Sequence, residues 1–117
     1  MRFCRPGLNS IAFGGALLLS LGCIATATRA QDASALLTIG ASGFQPSTLT
    51  VRAGVKIQLT VKNATGKAAE FESAELNREK VIPAGASATI YIGPLAAGTY
   101  SFFDDFNKSS KGQIIAK

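Results

Sequence analysis

Val55-Lys56-Ile57-Gln58-Leu59-Thr60-Val61-Lys62-Asn63 alternates apolar and polar residues without a break. A period of two puts successive side chains on opposite faces of an extended chain. Val55, Ile57, Leu59 and Val61 therefore define a buried face, and Lys56, Gln58, Thr60 and Lys62 a wet one. The stretch predicts a strand with one side on a core. Outward from it, residues 87–92 repeat the pattern, with Ala88, Ile90 and Ile92 set against Ser87, Thr89 and Tyr91. Residues 99–104 predict a third strand, rich in aromatic side chains, and 36–39, 49–52, 80–82 and 113–116 are shorter candidates. Turn-forming clusters separate them at 40–43, 53–54, 64–66, 83–85, 93–94, 97–98 and 108–112. About seven short strands at this spacing predict an all-β sandwich or barrel. Residues 68–78 alone have a helix-friendly composition and predict a helical turn.

The chain has 117 residues, 47% of them hydrophobic and 16% charged, which excludes a disordered, charge-dominated polymer. Its formal charge of +5 suggests an anionic partner. Three of the twelve basic residues, however, are Arg2, Arg5 and Arg29. From Gln31 onward nine basic residues face seven acidic ones, too even a balance for a nucleic-acid footprint. There is no His, the only Met is Met1, and the only Cys are Cys4 and Cys23. A Ser-His-Asp triad, a Cys/His zinc site and a Cys nucleophile beyond residue 23 are thereby excluded.

Residues 1–10 carry Arg2 and Arg5, 11–27 are uncharged around Leu17-Leu18-Leu19, and small residues follow through Ala30. This order predicts a secretory signal peptide at 1–30, cut after Ala30 with Ala27 as the alternative, and one exported domain at 31–117. The apolar run is short and glycine-diluted for a membrane span, so no stable insertion is expected after cleavage. Leu21-Gly22-Cys23 partly matches a lipoprotein box, with Ser20 where that pattern wants Leu, and makes anchoring at Cys23 the alternative.

Several stretches resemble the cupredoxin-like domain: Phe44-Gln45-Pro46, Leu49-Thr50-Val51, the strand ending at Asn63, Gly98-Thr99-Tyr100-Ser101-Phe102-Phe103, and Gly112-Gln113-Ile114-Ile115. The resemblance implies a small Greek-key β-sandwich or barrel, and the Gly-x-Tyr piece suits a tyrosine corner. Glu70-Phe71-Glu72-Ser73, 76–83 and Phe102-Phe103-Asp104-Asp105-Phe106 are similar to the branch of periplasmic proteins that accompanies bacterial iron permeases. That similarity implies a periplasmic location and an iron permease or other metal-uptake component as partner.

A type 1 copper site needs His, Cys and usually Met, and none occurs after residue 23. By the resemblance the Cys position falls on Asp104, the second His on Asn107, the Met on or near Ser110, and the first His at about Glu70. Where the iron-associated branch often has His, this chain has Asn107. The candidate metal set is therefore Glu70, Glu72, Asp104, Asp105 and Asn107, all oxygen donors, which suit hard cations better than Cu(I). Glu70 and Glu72 share a strand face opposite Phe71, and Glu70 and Asp104 are expected to meet at one end of the sandwich. Glu75 and Glu79 read as solvated surface, with Arg78 or Lys80 as surface partners for Glu79 at little energetic gain. Tyr100, Phe102, Phe103 and Phe106 read as core and rim packing. The expected function is a non-catalytic module handling iron or copper through carboxylates, without type 1 copper; the alternative is a metal-free interaction module.

Overall fold

The computed structural model describes residues 33–117; the expected signal peptide and cleavage sites and Cys23 lie outside the described residues. Nine strands and no helix occur among them: β1 (Ala33–Gly40), β2 (Gly43–Gln45), β3 (Thr48–Val51), β4 (Ile57–Asn63), β5 (Ala69–Ser73), β6 (Arg78–Ile82), β7 (Ser87–Ile92), β8 (Gly98–Asp104) and β9 (Asn107–Ala116). They form two sheets, ordered β2-β1-β4-β7 and β3-β9-β8-β5-β6. The β1–β4 and β3–β9 pairs are parallel, and the other pairs are antiparallel.

The alternation in 55–63 does what the period requires. Ile57, Leu59 and Val61 are fully buried, and Lys56, Gln58 and Lys62 are exposed. Leu37, Ile39, Ile90 and Ile92 complete the inner face of the first sheet, while Phe71, Ile82, Phe102 and Ile114 form that of the second. Each such side chain contributes roughly 1.5–3 kcal/mol on burial. Phe44 on β2 crosses between the sheets to meet Phe71 and Phe102. The tyrosine corner is present, with Tyr100 Oη donating to the Ala96 carbonyl at 2.7 Å.

Three expectations need correction. The helical turn at 68–78 is a β-hairpin: Ala69, Phe71 and Ser73 point inward, and Asn77 closes the turn at a φ of 56°. Composition favoured a helix, but alternate burial of these side chains against β8 favours a strand. Residues 108–112 are not a turn but part of the long β9. Gly112 is there for close approach, since a Cβ would lie 2.5 Å from the Ser47 carbonyl oxygen and 2.8 Å from Phe102 Cζ. Finally, β2 is too short to leave a periodic trace. With β2 and β5 added, seven expected strands become nine.

Candidate functional site

The hairpin between β5 and β6 has the register Glu72↔Glu79 and Glu70↔Val81. Residues facing each other across a ladder share a face, so Glu70, Glu72 and Glu79 all lie on the outer side of the five-stranded sheet, away from Phe71. One carboxylate oxygen from each falls within 4.8 Å of the others. A shallow hollow of about 170 Å³, lined by Glu72, Ser73, Ala74, Asn77, Arg78 and Glu79, adjoins them. Partial burial raises the Glu70 carboxyl above the usual carboxylate range, and repulsion from Glu79, Asp105, Glu72 and Asp104 adds to it in that order.

Glu79 is exposed, as read, and is also a neighbour of the acidic pair. Arg78 does not pair with it: its Nε donates to the Tyr91 carbonyl and its Nη1 to that of Asn77. Glu75 is exposed, as read, but is held in place. It accepts hydrogen bonds from Ser101 N (2.6 Å) and Oγ (2.7 Å), which keep its carboxyl below the usual range.

The structure divides the five sequence candidates between two faces. Phe71 pairs with Asp104, so the Asp104 side chain points inward and Glu70 outward. The expected meeting of their side chains does not occur. Asp104 Oδ1 instead accepts the Glu70 and Phe106 backbone N–H groups, both at 2.9 Å. Asp105 pairs with Lys108 at 3.3 Å, and Lys108 Nζ also lies 6.0 Å from the centre of the Phe103 ring. Asn107 is exposed and accepts from Ser109 Oγ at 2.8 Å.

Asp104 and Asn107 line a groove of about 670 Å³ at one end of the sandwich. Its walls come from the end of β1 (Ile39, Gly40) and Ala41 after it, the β4–β5 loop (Thr65 to Ala68), Phe106 and Ser110. Buried Asn63 ties that loop down through Nδ2, which donates to the Lys67 and Ile82 carbonyls at 2.7 and 2.9 Å. Phe102 is core, as read, whereas Phe106 is 56% exposed at the groove rim.

The direction of the Glu70 shift makes a pH prediction. A raised folded-state value means that ionising Glu70 costs stability, which is lost as pH rises through that value. Glu70→Gln should therefore be more stable than the unmodified protein at about pH 7, and the two should converge near pH 3, below the carboxylate range. Urea denaturation at both pH values measures this; a less stable Glu70→Gln at neutral pH contradicts it.

The profile of the family described as Cupredoxin-like domain matches residues 11–116. An uncharacterised protein of Rickettsia prowazekii (strain Madrid E) is 38% identical over 80 residues, covering 68% of this chain and 64% of that protein. The chain thus spans less than two thirds of that relative. Among solved structures, the metal binding domain of the Streptococcus pneumoniae D39 Cu(I) exporting P-type ATPase CopA with Cu(I) superposes with a TM-score of 0.65 at 16% identity. The match covers 77% of this chain and 99% of that one. A purple cupredoxin from Nitrosopumilus maritimus gives 0.57 at 16%, covering 71% and 99%. A reduced amicyanin mutant gives 0.59 at 13%, covering 72% and 82%. At such identities the likeness is one of fold.

Proposed function

The chain belongs to the Cupredoxin-like domain family, and from that premise we propose that it handles a metal ion through carboxylate oxygens rather than transferring electrons at a type 1 copper. In this reading it is an exported, non-catalytic periplasmic module that works beside a membrane iron-uptake component. The observation that carries it is the approach of Glu70, Glu72 and Glu79, one oxygen each within 4.8 Å. Oxygen ligands bind hard cations at about 2.0–2.6 Å, so two oxygens on one ion lie at most about 5 Å apart. The donor set fits Fe(III), Mn(II) or Cu(II); it does not fit Cu(I), which wants thiolate or thioether. The Cu(I) of the Streptococcus pneumoniae metal binding domain supports metal handling as a use of this fold. The Glu70-Phe71-Glu72-Ser73 and Phe102 to Phe106 stretches support the iron-permease branch.

Binding relieves the repulsion at Glu70 and stabilises the folded state by mass action. At about 100 times the dissociation constant the gain is about 2.7 kcal/mol. Thermal unfolding with Mn(II), Fe(III) or Cu(II) should show it, more strongly at neutral than at acid pH because protons compete for the same oxygens. Glu72→Gln and Glu79→Gln should remove most of the response, and Glu75→Gln, the same change of charge outside the cluster, should keep it. If no cation stabilises the protein, or if Glu75→Gln behaves like Glu79→Gln, the metal reading fails and a metal-free interaction module takes its place.

A further inference from the structure

A strand that ends a sheet has backbone groups with no ladder partner, and without guarding charges it invites another strand. Three of the four edge strands here are short or guarded. β2 and β3 have only three and four residues, and β6 carries Arg78, Glu79 and Lys80 in succession. β7 ends the four-stranded sheet with six residues and has neither a charge nor a proline. The hydrogen bonds of β4 fix which way β7 faces. Lys56 O and Ala64 N bond to Ala33 N and Ile39 O of β1, both at 2.9 Å, whereas Asn63 N donates to Ala86 O at 2.8 Å. Ile57, Leu59 and Val61, in step with Asn63, therefore turn their backbone groups toward β7, and their partners Ile92, Ile90 and Ala88 answer them. Ser87, Thr89 and Tyr91 turn theirs to the open edge. Arg78 Nε caps the Tyr91 carbonyl at 2.9 Å, and among the described residues the other outward groups have no partner. β6 precedes β7 through the turn at 83–86 but belongs to the other sheet and forms no ladder with it.

Cations flank this edge on both sides. Lys62 pairs with Ser87, and Lys56 Nζ lies 5.2 Å from the centre of the Tyr91 ring, so both stand beside β7 on the outer face of its sheet. On the other side Arg78 reaches the edge itself, and Lys80, two residues on, shares its strand face. β4, β7 and the turn at 83–86 contain no acidic residue. Glu79 faces the outer side of the other sheet with Glu72. We propose that β7 is a docking edge for an extended acidic segment of a partner protein, added as a fifth strand to the four-stranded sheet. Unpaired main-chain groups are matched by another main chain, and the flanking cations select its charge. An extended chain sends alternate side chains to the two sides of a sheet, so carboxylates on either side meet a cation. A second copy fits less well, because pairing β7 with β7 would gather the flanking cations of both copies along one seam, and like charges at a seam oppose association. The inference does not rest on the carboxylate cluster of the other sheet.

The test is titration of the protein with the acidic peptide Ac-EVTVTE-amide, followed by backbone amide NMR. Saturable shifts are expected at Ser87, Thr89 and Tyr91. Hydrogen exchange of the Thr89 and Tyr91 N–H groups should be fast in the free protein and slow in the complex, whereas Ala88 and Ile90 are protected in both. The basic counterpart Ac-KVTVTK-amide should bind about ten-fold more weakly or worse, and Lys56→Gln and Lys80→Gln should each weaken the acidic peptide about three-fold. Thr89→Pro removes an outward N–H, spares the bonds to β4, and should abolish binding. If that variant does not fold, the acidic peptide N-methylated at alternate amides, which cannot complete the ladder, decides the point in its place. Glu75→Gln should bind like the unmodified protein. The proposal is overturned by absent or unsaturable shifts, by equal binding of the acidic and basic peptides, or by binding that leaves Thr89 and Tyr91 exchange unchanged. Protection of those two amides in the free protein that grows with its concentration would also overturn it, by giving the edge to a second copy. Because the metal response is read on Glu72→Gln and Glu79→Gln, either reading can fail without the other.

Discussion

Phe71→Ala lowers the unfolding free energy by about 3–5 kcal/mol, the range for removing a buried phenylalanine that its surroundings cannot replace. Phe71 is fully buried and stacks on Phe102 at 5.2 Å with a 29° angle between the rings. Phe44 meets both edge-on, at 6.3 Å from Phe71 and 4.8 Å from Phe102. The three rings come from β2, β5 and β8 and so join the two sheets, and they lie next to the groove end through the Phe71↔Asp104 pair. Backbone pairing holds the strands around the vacated space, so it closes poorly. Small domains have only about 5–15 kcal/mol of stability, and this one change should take much of it. Urea denaturation measures the loss. Phe106→Ala, at the exposed rim, should stay within about 0.5 kcal/mol. A Phe71→Ala loss below about 1 kcal/mol would mean that the aromatic cluster does not join the sheets as described.

What the sequence made legible follows from how local each signal is. The strand period in 55–63 depends on neighbouring residues only, and its inward and outward sets match the structure. The tyrosine corner joins residues four apart, Tyr100 and Ala96, and was also legible. Glu70 and Glu72 share a face because they are two apart on a strand. Glu79 joins them only through the hairpin register, which requires knowing that residues 74–77 are a tight turn and not part of a helix. The alternation of Ala69, Phe71 and Ser73 carried that information against the composition. Asp104 is harder still. Its inward direction follows from Phe102 two residues earlier only if the strand runs on to 104, and that is settled by its pairing with Phe71, thirty-three positions away. The burial of Ser110 on a strand was hidden because Lys108 to Gly112 reads as a turn until the packing at Gly112 is known.

Asn63 shows the same limit from another side, and its replacement should cost nearly as much as that of Phe71. In sequence it ends a strand and begins Asn63-Ala64-Thr65, which matches the glycosylation acceptor pattern. In the structure it is fully buried. Its Nδ2 donates to the carbonyls of Lys67 and Ile82, with Pro83 O at 3.3 Å, and its Oδ1 accepts from Thr65 N and Oγ1 at 3.0 and 2.7 Å. One side chain thus fastens the groove-wall loop to the end of β6. Asn63→Ala strips partners from at least two carbonyls in or near the core, at about 1–3 kcal/mol for each buried group left unsatisfied. The expected loss is about 3–4 kcal/mol, together with faster hydrogen exchange at residues 64–68. Asn63→Asp separates hydrogen bonding from volume. It keeps the size and the acceptor toward Thr65, but turns a carboxylate oxygen toward the Lys67 and Ile82 carbonyls where a donor is needed. It should be at least as destabilising as alanine at neutral pH and recover in part when acid protonates it, since the protonated carboxyl can donate one bond. An Asn63→Asp protein as stable as the unmodified one at neutral pH would show that the loop is held by packing alone.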